Sequence, residues 1–180
     1  MPLPRDLLAN PEPLIRRVYA YVAYRIGDGP DAQDVTSDTL ERALRYRDSY
    51  DASRGEPIAW LVGIARRSIS DFFARPAEVE LPIVEQVADD DLETDTARRL
   101  VLAEAMSVLS DREREMLALR YGADLTARRI GEMLGLRTHA VEVALQRALG
   151  RLEAALSERD GREVAIPARF PVRVRPSPPV

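Results

Sequence analysis

The most specific spacing in the chain lies between Thr126 and Val141, where Gly131, Gly135 and Val141 stand at successive offsets of four and six residues. A helix-turn-helix needs a small residue where its two helices touch, a glycine at the turn and a branched apolar anchor on the second helix, and this triplet supplies all three. Ile130, Leu134, Leu136 and Leu145 fill the core positions around it. The chemistry such a motif would carry is base recognition. Its second helix lies in the major groove with N-terminal residues at base edges, here Arg137, Thr138, His139, Glu142 and Gln146. Arg128, Arg129 and Arg147 are better placed for phosphates, which position a protein without specifying sequence. A plain helical hairpin in a small bundle shares this outline, so spacing alone leaves both readings open.

Other chemistries lack their residues. With no cysteine there is no disulfide framework, thiolate zinc site or Cys nucleophile, and a reducing cytosol fits. His139 is the one histidine, so it has no imidazole partner for catalysis and no visible metal partner. No phosphate-cradling glycine loop, HExxH or supported Ser/His/Asp set occurs; no enzyme activity, cofactor, metal or small-molecule substrate is expected. No apolar run approaches the roughly 18 residues of a membrane span, and Met1 to Asn10 lacks the order of a secretory signal, so a cytoplasmic location without membrane insertion is expected.

Charge sharpens when read by block. Across 180 residues, 26 basic side chains face 30 acidic ones, and a formal charge of −4 taken whole speaks against holding nucleic acid through its phosphates. Yet residues 1–76 are neutral, residues 77–96 hold eight acids and no cation, 97–160 carry +1 and 161–180 carry +3. The deficit is therefore one acidic connector. Such a block, with Pro82 inside it and Pro76 before it, reads either as a self-repelling tether or as a nucleic-acid mimic for a basic channel. All the cations are arginine, which the coding bias of a GC-rich genome explains better than a need for bidentate contacts does.

The elements that must position these residues read as helices. Apolar residues make up 46% of the chain and aromatics only 6%, which suits Leu/Ala/Val helical cores over a strand-rich fold. Leu14, Val18, Val22 and Ile26 recur at helical spacing from Pro13, and Gly27 to Pro30 stops that helix. A second begins after Pro30 with Asp31 as its cap, turns Ala32, Val35, Thr39, Leu40, Ala43 and Leu44 inward, and fades between Tyr46 and Tyr50. Asp51 to Pro57 reads as a loop, and a third helix from Ile58 (Leu61, Ile64, Ala65, Ile69, Phe72) ends at Pro76. Beyond the acidic block, Ala97 to Leu109 forms a helix, and Ser110 with Glu113 is a capping box opening another to about Tyr121. Leu125-Thr126 opens a short helix to Leu134, and Thr138 caps a longer one to about Leu156. The expected fold is all-α: two small helical domains, 1–76 and 97–160, a flexible acidic linker, 77–96, and a Pro/Arg-rich tail, 161–180.

The helix-turn-helix, together with Asp31 to Leu44 and Trp60 to Asp71, resembles the extracytoplasmic-function sigma factors of the bacterial sigma-70 family over about residues 12–157. The resemblance implies a region 2 and a region 4 that bring RNA polymerase core to promoter DNA. It implies core-binding contacts from Asp34, Asp38, Glu41 and Arg42, and a loop from Tyr50 to Glu56, including Ser53 and Arg54, that captures a base extruded from the −10 element. Unstacking that base costs a few kcal/mol, which a pocket and nearby cations must offset. Trp60, Arg66 and Arg67 fall on the helix that lines promoter DNA in the family, although Trp60 also suits the core. The helix from Thr138 would read the −35 element. The family also leaves room for an anti-sigma factor as partner.

Two departures stand out. Arg67 replaces a common Asn, and Glu142-Val143-Ala144 replaces a basic or small polar run; Glu142 weakens phosphate attraction but can accept from a cytosine amine. Two other functions fit parts of the chain. A stand-alone helix-turn-helix regulator would bind DNA without polymerase, on half-sites about one helical turn apart if dimeric. A protein that binds polymerase without initiating is the other.

Overall fold

A computed structural model of the chain describes residues 11–75 and 105–160. The acidic block, the start of the helix expected from Ala97 and the Pro/Arg-rich tail lie outside the described residues. Among those residues every regular element is helical. The first group comprises α1 (Pro11–Ile26), α2 (Pro30–Arg45) and α3 (Pro57–Ala74), with short 3-10 turns at Arg47–Ser49 and Ala52–Arg54 between the last two. The second comprises α4 (Asp111–Leu117), a π turn (Ala118–Gly122), α5 (Ala127–Leu134) and α6 (Thr138–Asp160).

Local chemistry explains the boundaries. Pro30 opens α2 with Gly29 as its cap residue, because a fixed φ and a missing N–H suit the first helical position. Asp31 is therefore not the cap; it sits in the first turn, where its charge meets the positive end of the helix. The buried stripe of α2 is Ala32, Val35, Thr36, Thr39 and Ala43. Leu44, expected inward, is 52% exposed, since it lies about 100° around the helix from Ala43 and past the edge that α3 covers.

In the second group, residues 105–107 are helical, and the helix expected to reach Leu109 stops short of it. The helix expected to run to Tyr121 leaves α geometry after Leu117, and the Ala123 N–H reaches back five residues to the Ala118 carbonyl at 2.9 Å. Thr126 caps α5 by accepting from the Arg129 N–H at 3.2 Å. Gly135 ends it in the left-handed region, φ 67°, where a Cβ is penalised. Thr138 is the first residue of α6, one place inside its expected cap position, because the Arg137 carbonyl already accepts from the Val141 N–H at 3.2 Å. The helix continues to Asp160, past the expected end near Leu156.

One continuous apolar core joins the two groups. Val18, Tyr21, Val22, Ile58 and Val62 from the first are fully enclosed with Leu117, Leu119, Ile130 and Val141 from the second. At about 25 cal/mol per Å² of apolar surface removed from water, a seam of this kind resists separation unless something replaces it.

The capping box forms as expected. The Ser110 N–H donates to Glu113 Oε2 at 2.9 Å, and the Glu113 N–H donates to Ser110 Oγ at 3.3 Å. These bonds from Ser110 hold the Glu113 carboxyl below its ordinary value of 4.5, with Arg151 adding to the effect. A carboxyl that titrates lower in the folded state stabilises fully above its unfolded pKa and loses that contribution as pH falls through the folded one. Urea midpoints should therefore drop as pH falls below about 4.5. Ser110→Ala should cost about 1 kcal/mol at neutral pH and flatten that acid dependence.

Candidate nucleic-acid and polymerase interface

The helix-turn-helix is built by close backbone approach. A Cβ on Gly131 would stand 2.6 Å from the Leu136 carbonyl oxygen, and the Leu136 N–H donates to the Gly131 carbonyl at 2.8 Å. Only glycine lets α5 and the turn meet there. Val141, Leu145 and Ala148 bury one face of α6, and Arg137, Thr138, His139, Glu142, Gln146 and Arg147 remain exposed around the other. The expected base-reading residues thus share one accessible surface. His139 Nδ1 lies 3.8 Å from Glu142 Oε2 within it.

Two of the cations expected at phosphates are already engaged. Arg128 and Arg129 pair with Glu132 at 3.1 and 2.8 Å, and these bonds, Arg129 first, hold the Glu132 carboxyl below its usual range. Arg129 also donates from Nη2 to the Arg54 carbonyl at 2.9 Å, which places it against the loop of the other helical group.

That loop is ordered by its own side chains. Asp51 Oδ1 accepts from the Ser53 N–H at 2.9 Å and from Ser53 Oγ at 2.7 Å, and these bonds hold the carboxyl below its usual range. The Tyr50 hydroxyl donates to the Gly55 carbonyl at 3.0 Å, and its ring stands 5.6 Å from Trp60 at a tilt of 57°. Burial, with help from the charges of Asp51 and Glu56, raises the Tyr50 pKa, so the hydroxyl stays a donor. Trp60 is half-buried against the core, so it backs the loop from beneath. Ser53 and Arg54 are exposed.

On the neighbouring face, Asp38, Glu41, Arg42, Arg45, Tyr46 and Arg67 line an open groove between α2 and α3. Arg42 bridges it, with Nε 3.0 Å from Asp38 and Nη1 2.6 Å from Asp71. The bond to Asp71, above all, raises the Arg42 pKa. Glu41 pairs with Arg45 at 2.7 Å, and Asp34 is exposed one turn earlier. Three of the four expected core-binding residues and Arg67 therefore meet in one groove.

Sequence reasoning missed a second polar cluster. Tyr21 is fully buried and donates to Glu115 Oε1 at 2.9 Å, while Arg25 Nε lies 2.8 Å from Oε2 and Arg66 Nε lies 3.2 Å from Oε1. Burial first, then the Glu115 charge, pushes the Tyr21 pKa far up and keeps its proton in place. Arg66, expected at promoter DNA, is paired with Glu115 while its side chain stays partly exposed. The available signal was Tyr21 three residues after Val18, which places it on the buried stripe of α1. Among the described residues no group of three or more His, Cys, Asp or Glu could hold a metal, and no helix is long and apolar enough to cross a membrane.

Comparison with known proteins matches residues 12–78 to the family model of sigma-70 region 2 and residues 105–154 to that of sigma-70 region 4. The chain is 33% identical over 168 residues to the extracytoplasmic-function RNA polymerase sigma factor ShbA of Streptomyces griseus, covering 83% of this chain and 85% of that protein. It is 27% identical over 149 residues to BldN of Streptomyces coelicolor, a protein with the same description; that match covers 78% of this chain and spans only 56% of the relative. Its fold resembles the sigma factor RpoE of Bartonella quintana, solved with the anti-sigma factor NepR, at a TM-score of 0.59 and 20% identity over 85% of this chain and 98% of that one.

Proposed function

This chain belongs to the extracytoplasmic-function sigma factors, the RNA polymerase subunits that direct transcription initiation at promoters, and we propose that it divides that work between its two helical groups. The first group binds polymerase core through Asp34, Asp38, Glu41 and Arg42 and meets the −10 element with Tyr50, Ser53, Arg54, Trp60, Arg66 and Arg67. The second reads the −35 element with the exposed face of α6, and Arg128, Arg129 and Arg147 hold phosphates. The observation that carries this reading is the single accessible face on which Arg137, Thr138, His139, Glu142 and Gln146 stand, opposite a buried Val141 and Leu145. Catalysis belongs to the polymerase. An anti-sigma factor is a further expected partner, and the cytoplasm, where polymerase works, the expected location.

Core binding should supply most of the holding energy, and joining two readers on one chain raises their effective concentration at the promoter. Neither reader then needs to hold DNA tightly alone, which suits groups with little net positive charge. The groove assignment has a direct test. Reversing Asp38 and Glu41 together to Arg leaves Arg42 and Arg45 without their partners on α2 and adds two cations to the surface. Titration of fluorescently labelled full chain with purified core should then show affinity lower by about tenfold or more, since like charges facing across an interface cost several kcal/mol. Unchanged core affinity with helicity intact would move the contact elsewhere.

A further inference from the structure

Tyr46 closes the end of α2 and is 55% exposed. Among the described residues its ring meets no other ring and its hydroxyl has no hydrogen-bond partner, whereas the Tyr50 ring, four residues on, already leans on Trp60. Tyr46 borders the groove of about 380 Å³ between α2 and α3, together with Ile64 and Arg67 of α3.

The charges of that groove do not cancel. Arg42 is matched by Asp38 and Asp71, and Arg45 is matched by Glu41. Arg67 is exposed and has no ion-pair or hydrogen-bond partner among the described residues. Ile64, half-buried, adds apolar surface between them. A guanidinium without a carboxylate, a phenol ring with an open face and an apolar wall meet the three needs of an unstacked nucleotide: charge for its phosphate, a π surface for its base and shelter from water.

We propose that this groove takes a second unstacked nucleotide of the melted promoter strand, with its base on the Tyr46 ring and its phosphate at Arg67. The inference rests on the promoter reading above, in which the loop at Tyr50 takes the first. The connection between the two tyrosines fixes their spacing. The Ser49 N–H and Oγ donate to the Tyr46 carbonyl at 2.9 and 2.7 Å, and the Tyr50 N–H donates to the Arg47 carbonyl at 3.1 Å. Four steps of about 2 Å each along this 3-10 turn hold the two backbones about 8 Å apart. Neighbouring bases in a duplex are stacked about 3.4 Å apart, so a strand lays bases on both rings only where it has come unstacked. The groove therefore favours melted over duplex DNA, and it acts on the open complex.

The test uses holoenzyme assembled with the full chain and a fluorescently labelled single strand carrying the non-template −10 sequence that this holoenzyme selects. Tyr46→Ala should weaken binding of that strand roughly 5- to 150-fold, the range a base stacked on an aromatic side chain supports, and Tyr46→Phe should keep it. Arg67→Ala should weaken binding and lower its salt dependence by about one phosphate. Replacing one nucleotide at a time by an abasic one identifies the base: at one position the loss caused by Tyr46→Ala should vanish, and at a different position the loss caused by Tyr50→Ala should vanish. Core affinity of the Tyr46→Ala chain, titrated without DNA, should not change. Unaltered strand binding by Tyr46→Ala, a loss that no abasic position removes, or a drop in core affinity that accounts for it would overturn the groove as a base site. If Tyr46→Ala is silent while Tyr50→Ala still weakens binding, the groove fails and the promoter reading stands; holoenzyme that prefers no sequence over a scrambled strand contradicts the promoter reading itself.

Discussion

Holoenzyme assembled with a Tyr50→Ala chain should bind promoter DNA normally and open it poorly. Stacking of a base on an aromatic side chain is worth about 1–3 kcal/mol, so open-complex formation should fall roughly 5- to 150-fold. The loop that presents Tyr50 is held by Asp51, Ser53 and the hydroxyl bond to Gly55, and Trp60 supports its ring. Tyr50→Phe keeps the ring and loses one hydrogen bond, so it should retain most of the activity. Permanganate reactivity of unpaired thymines measures opening, and retention of closed complexes on gels measures binding. A defect confined to binding would remove Tyr50 from the melting step.

The second large effect concerns sequence choice. A good bidentate side-chain contact to a base is worth about 1–3 kcal/mol of discrimination. Arg137 suits guanine, and Glu142 suits the exocyclic amine of cytosine; both lie on the exposed face at the start of α6. Selection from promoters randomised across the −35 element should yield a preferred base at each contacted position. Arg137→Ala and Glu142→Ala should each flatten the preference at one position by roughly 5- to 150-fold and leave the others. If Arg147 holds a phosphate as proposed, Arg147→Ala should weaken binding to all sequences alike and reduce its salt dependence. Identical selected sequences from wild type and Glu142→Ala would show that this carboxylate does not face the bases.

Much of this was legible because local chemistry and global fold agree there. The offsets of Gly131, Gly135 and Val141 encode a close approach, a left-handed turn and a buried anchor, and each appears at its own position. Ser110 and Glu113 announce a cap that needs no tertiary context. Where competing preferences act, boundaries slip by a residue: Pro30 displaces Asp31 from the cap, and Arg137 rather than Thr138 takes the cap position of α6. Leu44 looks inward by residue type and is outward because α3 covers only part of α2.

The seam was illegible for a different reason. Glu115 stands among Asp111, Arg112, Glu113 and Arg114 and has the local signature of a solvated face. Its burial depends on Tyr21, Arg25 and Arg66, which lie far away in sequence. No periodicity encodes a partner at that distance. The same seam engages Arg129, expected at a phosphate, and Arg66, which the family resemblance placed at promoter DNA.

Run-off transcription with purified core polymerase and the full chain decides whether the protein initiates at promoters. Transcripts starting at one position downstream of matched −10 and −35 elements, absent with core alone, are the expected result. No promoter-specific transcript from a chain that demonstrably binds core would contradict it and favour a polymerase-binding protein that does not initiate.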